Sequence, residues 1–185
     1  MVDYEVPNRK SSVPKIPSNP PPRGPPDAIY YPKCPPNYQF LIETGFCYKV
    51  VSDEKTIFSI ANSYCKKEKA NLASIHSKLE NKLLADLSRK DNLTIPSFSY
   101  VSRLNEQDEV IIGLHYDDGK WQWTDGTPMN FTNWSDGEPN RLDFEWTVTL
   151  VTSKIARFNP NGELWNNIPT GSAQRAFICK KSANQ

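Results

Sequence analysis

The spacing of apolar positions changes twice along the chain. In "NYQFLIETGFCYKVV" (residues 37–51), apolar and polar residues alternate on either side of Thr44-Gly45, a pattern that predicts a β-hairpin. The period then lengthens. Behind Thr56, a residue type that opens helices, Ile57, Ile60, Ala61, Tyr64 and Cys65 recur at helical spacing and predict a first helix with one apolar face. "NLASIHS" reads as a short buried strand. Ser77-Lys78-Leu79-Glu80 has the form of a capping box, in which serine and glutamate satisfy backbone donors reciprocally. Leu79, Leu83, Leu84 and Leu87 predict the buried stripe of that second helix.

From residue 95 the texture becomes β. "VIIGLHY", "KWQWT", "EWTVTLV" and "RAFICK" predict strands, with tight turns at Asp118-Gly119, Asp125-Gly126 and Asn161-Gly162. A hairpin, two helices and then antiparallel strands make an α+β domain. Residues 124–144 keep no period, and an irregular run of that size inside a compact domain is usually functional or disordered.

Composition divides the chain. Residues 1–33 hold nine of the 16 prolines and few large aliphatics, so they predict a proline-rich, disordered arm or linker sampling polyproline II. The remaining residues from Cys34 are enough for one core. A net charge of +1, with no basic patch interleaved with aromatics, gives no sign of a nucleic-acid partner. No run approaches the roughly 20 apolar residues of a membrane helix. Nor does a secretory leader open the chain, so Met1 is read as the start of a fragment.

The four cysteines form no Cys-x-x-Cys pair, and His76 and His115 stand far from them in sequence, which argues against zinc. Three pairings are open. A Cys34–Cys47 bridge would close the first hairpin, and Cys65–Cys179 would tie the first helix to the last strand. Disulfides imply an oxidising, extracellular setting. The sequons at Asn92, Asn130 and Asn133 point the same way. Asn92, in a polar connection, is the expected acceptor, while Asn133 precedes a tryptophan expected to be buried.

The chemistry concentrates in "NFTNWSDGEPNRLDFEW", residues 130–146, where Asp136, Glu138, Asp143 and Glu145 have little positive charge around them. Such a run is either a solvated loop or part of a cation site that a second segment completes. Paired carboxylates also serve glycoside hydrolysis. However, no serine or cysteine nucleophile is placed near His76 or His115 by any motif, and an enzyme is not expected.

Several motifs together resemble the C-type lectin-like domain: "CPPNYQFL…CYK", "YCKKEKANLASIHS", "IIGLHYDDGKWQWTDGTPMNFTNWSDGEPN", "LWNNIP" and "FICKK". The match runs in order from Cys34 to Lys180. It implies a disulfide-stapled double-loop α+β fold over residues 34–181, with residues 182–185 as a tail. The pairing expected is Cys34–Cys47 and Cys65–Cys179. Trp121, Trp123, Trp134 and Trp165 would pack the core and brace the loop.

In sugar-binding members the glutamate and asparagine of E-P-N, around a cis proline, join a later glutamate and the W-N-D strand to hold calcium. The corresponding residues here are Glu138, Pro139, Asn140, Glu145, Asn166 and Asn167. Calcium takes six to eight oxygen ligands in flexible geometry. Glu138 and Glu145 would supply charge, and Asn140 and Asn166 would supply amide oxygens with their NH2 groups free to donate to a sugar. The resemblance therefore implies calcium as cofactor, glycans or glycoproteins as partners, and the mannose-type preference that goes with E-P-N. Glu138, Asn140, Glu145 and Asn166 would contact the sugar.

Three departures matter. Asn167 stands where the family has aspartate, removing a charge. Glu145 lies one residue closer to Asn140 than usual, leaving Asp143 as a rival ligand. Thr147 and Thr170 occupy the positions of a second core disulfide. Calcium binding is accordingly expected to be weak, about 10⁻⁴ to 10⁻³ M. The alternative is a lectin-like domain that recognises a protein or other ligand without calcium.

Overall fold

A computed structural model describes residues 32–89, 108–153, 159 and 161–183. The proline-rich segment up to residue 31 and the Asn92 sequon lie outside the described residues. The elements in chain order are β1 (Gln39–Leu41), β2 (Phe46–Thr56), α1 (Phe58–Lys67), β3 (Asn71–Leu72), α2 (Lys78–Ser88), β4 (Glu109–Asp117), β5 (Lys120–Trp123), β6 (Thr147–Val151), β7 (Leu164–Ile168) and β8 (Gln174–Ser182). The strands form one sheet in the order β1-β2-β8-β4-β6-β7, with β3 attached to β8 and β5 to β4. All pairings are antiparallel except a short parallel contact, Ile111 with Phe177, so the sheet is mixed rather than wholly antiparallel.

β8 is the strand that closes the domain. It pairs with β2 from Phe46↔Ser182 to Thr56↔Gln174, which brings the two ends of the described chain together. The disulfides reinforce the same closure. Cys34–Cys47 spans 13 residues at the first hairpin, and Cys65–Cys179 spans 114 residues from α1 to β8, with Cα separations of 5.6 and 5.5 Å.

Local pattern and structure part company in three places. Thr56 is not a helix cap. It is the buried last residue of β2, and Ile57 is the N-cap, with no side-chain hydrogen bond. Ladder pairing with β8 continues across a register shift between Ser52 and Thr56, so tertiary pairing overrides the local cap signal. On the helices, Ile60 and Leu79 face solvent rather than the core. In "NLASIHS" only Asn71 and Leu72 are strand, although Ala73, Ser74 and Ile75 are all buried.

The exposure of Leu79 is explained by what α2 buries instead. Ser77 Oγ does accept from the Glu80 amide at 3.1 Å, as a capping serine should. The Glu80 carboxylate reaches beyond the cap: it accepts the His76 amide (2.8 Å), the Tyr48 hydroxyl (2.6 Å) and the Lys180 ammonium (2.7 Å). A buried ion pair persists only when its remaining hydrogen-bonding capacity is used. Here it is used, because Lys180 also donates to the Ser74 carbonyl and hydroxyl, and Ser74 donates to Asp125 at 2.6 Å. Burial, with Glu80 beside it, pushes the Tyr48 hydroxyl well above its ordinary range, so it stays a donor. This chain of polar contacts runs from the core to Asp125, where the long loop begins.

Gly113 in β4 marks a close approach. A Cβ there would stand 2.6 Å from the Leu72 carbonyl oxygen and 2.9 Å from Thr124 Oγ1. At the β4–β5 turn, Asp118 (φ 49°) and Gly119 (φ 76°) both adopt left-handed conformation, as a two-residue hairpin of matching twist requires.

Candidate functional site: the Glu138-Pro139-Asn140 loop on β7

Trp165, the first of three successive residues on β7, anchors the long loop. Its amide donates to the Asn133 carbonyl, its carbonyl accepts from the Ser135 amide (both 2.8 Å), and Trp134 forms an isolated parallel bridge with it. The fully buried Trp165 indole donates from Nε1 to Asn81 Oδ1 of α2 at 2.7 Å. Edge-to-face contacts join it to Trp123, Phe131 and Trp134 at 5.7 Å, and Trp121 packs at a tilt against Trp134 at 5.1 Å. These tryptophans pack and brace, as their positions in the sequence suggested.

With Trp165 fixed, the next residues of β7 lie beneath the Glu138-Pro139-Asn140 turn. The Glu138–Pro139 peptide is cis. The Asn140 amide donates both to Glu138 Oε2 (3.1 Å) and to Asn167 Oδ1 (3.0 Å), while Asn140 Nδ2 donates to Glu138 Oε1 (2.8 Å). Asn167, 2% exposed, returns two hydrogen bonds from Nδ2, one to the Asn140 carbonyl and one to the Glu145 carbonyl (3.0 Å). Glu138, Asn140, Glu145 and Asn167 are thus brought together. Asp136 and Asp143 remain exposed.

Asn166 is handled differently. Successive strand residues point to opposite faces, and Asn166 Nδ2 donates to Glu109 Oε1 at 3.2 Å. Glu109, the first residue of β4, also accepts from Thr149 Oγ1 at 2.7 Å and is only 5% exposed. Sequence reading passed over Glu109, because an acid at the head of an apolar strand looks like a solvated flank. The expected free NH2 groups are half spent: Asn140 gives one of its two amide hydrogens to Glu138, and Asn166 one of its two to Glu109.

The local electrostatics is that of an anionic site. Burial raises the Glu138 carboxyl above its ordinary value and Glu145 adds to the rise, against the hydrogen bonds from Asn140. Burial raises Glu109 likewise, with Glu138 contributing and Thr149 and Asn166 opposing. Among the described residues, no three His, Cys, Asp or Glu side chains gather closely enough to form a metal cluster. The donor set is instead mixed, carboxylate with amide. One feature of it suits a cation: Asn140 Oδ1 is buried and has no hydrogen-bond partner. A buried acceptor without a partner is uncommon in folded proteins.

Beside this turn lies an apolar surface. Leu142, Phe144 and Trp146 are 40, 38 and 44% exposed. Trp146 Nε1 donates to the Leu142 carbonyl at 2.9 Å, and the Arg141 guanidinium sits 4.6 Å from the Phe144 ring. Of the sequons, Asn130 is exposed and its Oδ1 pairs with His76 Nδ1 at 2.9 Å, whereas Asn133 spends Nδ2 on the Glu163 carbonyl at 2.8 Å. His76 thus has a packing role between Asn130 and Thr127.

Residues 54–181 match the Lectin C-type domain family. A C-type lectin of Micrurus corallinus is 35% identical over 153 residues, which cover 80% of this chain and 82% of that protein. A C-type lectin mannose-binding isoform of Oxyuranus scutellatus is 36% identical over 155 residues, with the same two coverages. Among solved structures, the cow carbohydrate-recognition domain of CD23, crystallised with a GlcNAc2Man3 oligosaccharide, superposes with a TM-score of 0.62. It is 22% identical and covers 83% of this chain and 98% of its own. The chain belongs to the C-type lectin domain family, a class of non-enzymatic binding modules.

Proposed function

We propose that residues 34–181 form an extracellular carbohydrate-binding domain in which a weakly held calcium ion, at the Glu138-Pro139-Asn140 turn, presents mannose-type sugars. The observation that carries this reading is the orphaned Asn140 Oδ1. It is an unspent oxygen donor next to Glu138 and Glu145, two carboxylates whose combined charge lacks a lysine or arginine partner among the described residues. Hard, mixed oxygen donors from separate segments are what calcium accepts. Glu138, Asn140, Glu145, Asn166 and Asn167 are the residues that would hold it. Calcium, when bound, supplies a Lewis-acidic position for two vicinal hydroxyls. The protein's part is to order acid before amide, so that Glu138 accepts from one hydroxyl and Asn140 donates to its neighbour. The mannose-binding name of one relative agrees with this preference. The two disulfides support an extracellular setting, and no described helix is long and apolar enough to cross a membrane.

A glycan array scanned with and without chelator tests the reading. Mannose-type binding that vanishes in chelator is the expected result, and chelator-resistant or absent binding to all glycans defeats it. A second reading, recognition of a protein without calcium, has its own observations. The Asn167 amide itself ties the Asn140 and Glu145 carbonyls together, and Leu142, Phe144 and Trp146 offer an apolar contact surface.

A further inference from the structure

We propose that Asn130 is an N-glycosylation site and that the neighbouring sequon at Asn133 is not. The inference needs the oxidising, secretory setting that the two disulfides support. It does not depend on whether the loop holds calcium.

Exposure alternates along the chain where the first sequon falls. Met129 and Phe131 are partly buried and pack against the main core, Phe131 edge-on to Trp165 at 5.7 Å, whereas Asn130 and Thr132 are exposed. The two residues that the Asn-x-Ser/Thr signal requires are therefore the two that face outward. The Asn130 amide is divided to suit. Its Oδ1 accepts from His76 Nδ1 at 2.9 Å, since an amide oxygen has no hydrogen to give. His76 is held in turn at its other ring nitrogen, 3.1 Å from Thr127 Oγ1. The Asn130 Nδ2, the atom that takes a glycan, has no partner among the described residues.

Asn133 is arranged the other way round. Its Nδ2 is spent on the Glu163 carbonyl, and its own carbonyl accepts the Trp165 amide, both at 2.8 Å. Ser135, the hydroxyl residue of this sequon, gives its amide to the Trp165 carbonyl, and Trp134 between them bridges to Trp165. A bulky group on Asn133 Nδ2 would have to leave from a partly buried residue pressed against the segment that enters β7.

The modification joins Asn130 Nδ2 to the anomeric carbon of an oligosaccharide carried on a lipid pyrophosphate. One Nδ2 hydrogen leaves as a proton, and the lipid pyrophosphate departs with the electron pair of the broken C–O bond. No acceptor atom is consumed, so the bond from His76 to Oδ1 survives.

The test is secretion of the full chain from a eukaryotic cell behind an added leader, then mass spectrometry of the tryptic peptide 121–141, which holds both sequons. Wild type is compared with T132A, which breaks the first sequon, and S135A, which breaks the second. The expected result is a glycan on this peptide in wild type and S135A, and its loss in T132A. Amidase release in heavy-oxygen water marks the acceptor as a labelled aspartate, so wild type alone fixes the position if a variant is not secreted. A bare wild-type peptide overturns the proposal, as does a glycan that S135A removes and T132A keeps. A second glycan on the same peptide overturns the exclusion of Asn133. Glycosylated wild type and T132A should also melt together, and a markedly earlier melt of the glycosylated form would overturn the survival of the His76 contact. None of these readouts involves calcium or sugar binding, so failure of the functional reading leaves them intact.

Discussion

Replacing Asn167 by aspartate puts the family's residue back into β7, and the structure gives the substitution two opposed effects. In the absence of calcium the Asn167 amide acts as a staple. Its Oδ1 accepts from the Asn140 amide, and its Nδ2 donates to the carbonyls of Asn140 and Glu145. A carboxylate keeps the first bond and loses the other two, leaving two carbonyls facing an anion at a position 2% exposed. Each buried acceptor left unpaired costs about 1–3 kcal/mol. The nearby Glu138 and Glu145 charges add repulsion of at least about 1 kcal/mol. The sum, about 3–7 kcal/mol, is a large part of the 5–15 kcal/mol that roughly bounds the stability of an ordinary domain. At about 2–4 °C per kcal/mol for a domain of this size, N167D should melt roughly 10–20 °C below wild type in chelator.

Calcium should reverse the loss, because a cation between the carboxylate and the two carbonyls replaces the missing donors. At a concentration about 100 times its Kd, a ligand specific to the folded state restores about 2.7 kcal/mol. Scanning calorimetry of wild type, N167D and N167A in chelator and in calcium reads each part separately. N167A loses the same hydrogen bonds without gaining a ligand, so calcium should rescue it far less. Acid is a further control. A buried carboxylate has a raised pKa, and once protonated the introduced carboxyl can again donate, so the N167D deficit should narrow as pH falls. If N167D melts with wild type in chelator, the amide staple carries no weight. If it melts early and calcium does not restore it, no cation position lies between the loop and β7.

Three other outcomes follow from the packing. Removing the Cys65–Cys179 bridge as C65A/C179A opens a closure of 114 residues between two fully buried positions; chain entropy puts the loss at about 4–5 kcal/mol, and a denaturant midpoint close to wild type would refute it. G113A sets a methyl group 2.6 Å from the Leu72 carbonyl oxygen, a backbone atom that cannot swing aside; overpacking of this kind costs about 1–3 kcal/mol, and an unchanged melting temperature would show that β3 and β4 separate easily. Burial works to raise the Asp125 carboxyl, but hydrogen bonds from Ser74 and Thr127, with Lys180 nearby, hold it below its ordinary value. Since its folded pKa is depressed, the stability it contributes is complete above the unfolded value of about 3.9 and is lost as pH falls through the folded one. The gap between wild type and D125N should therefore close in melts below about pH 4, and a gap that stays constant would contradict the assignment.

How far the sequence could be read depended on the range of the interaction behind each feature. Strands bounded by tight turns were legible because alternation and turn chemistry are local: Asp118-Gly119 and Thr44-Gly45 fall where the residues place them. Both disulfides form in the expected pairing. Thr56 and Leu79 were misread because a distant strand, or a neighbour with better partners, decided their fate. Thr56 joined the β2–β8 ladder, and Glu80 took the buried position through Lys180, 100 residues away.

The candidate site divides along the same line. Glu138, Pro139 and Asn140 announce themselves as a motif, and so do Trp165 and its neighbours, but nothing local says what the amides do. Asn167 reads as a lost charge. In the fold it ties the loop to β7, since only an amide can accept from one backbone group while donating to two others. Glu109 is the converse case. It sits 57 residues from Asn166 in sequence and is set beside it only by the order β4-β6-β7. A charge deficit read from a motif is therefore incomplete until the sheet has been assembled. Here the assembled sheet sets a buried acid, held by Thr149 and Asn166, against the strand that carries the motif.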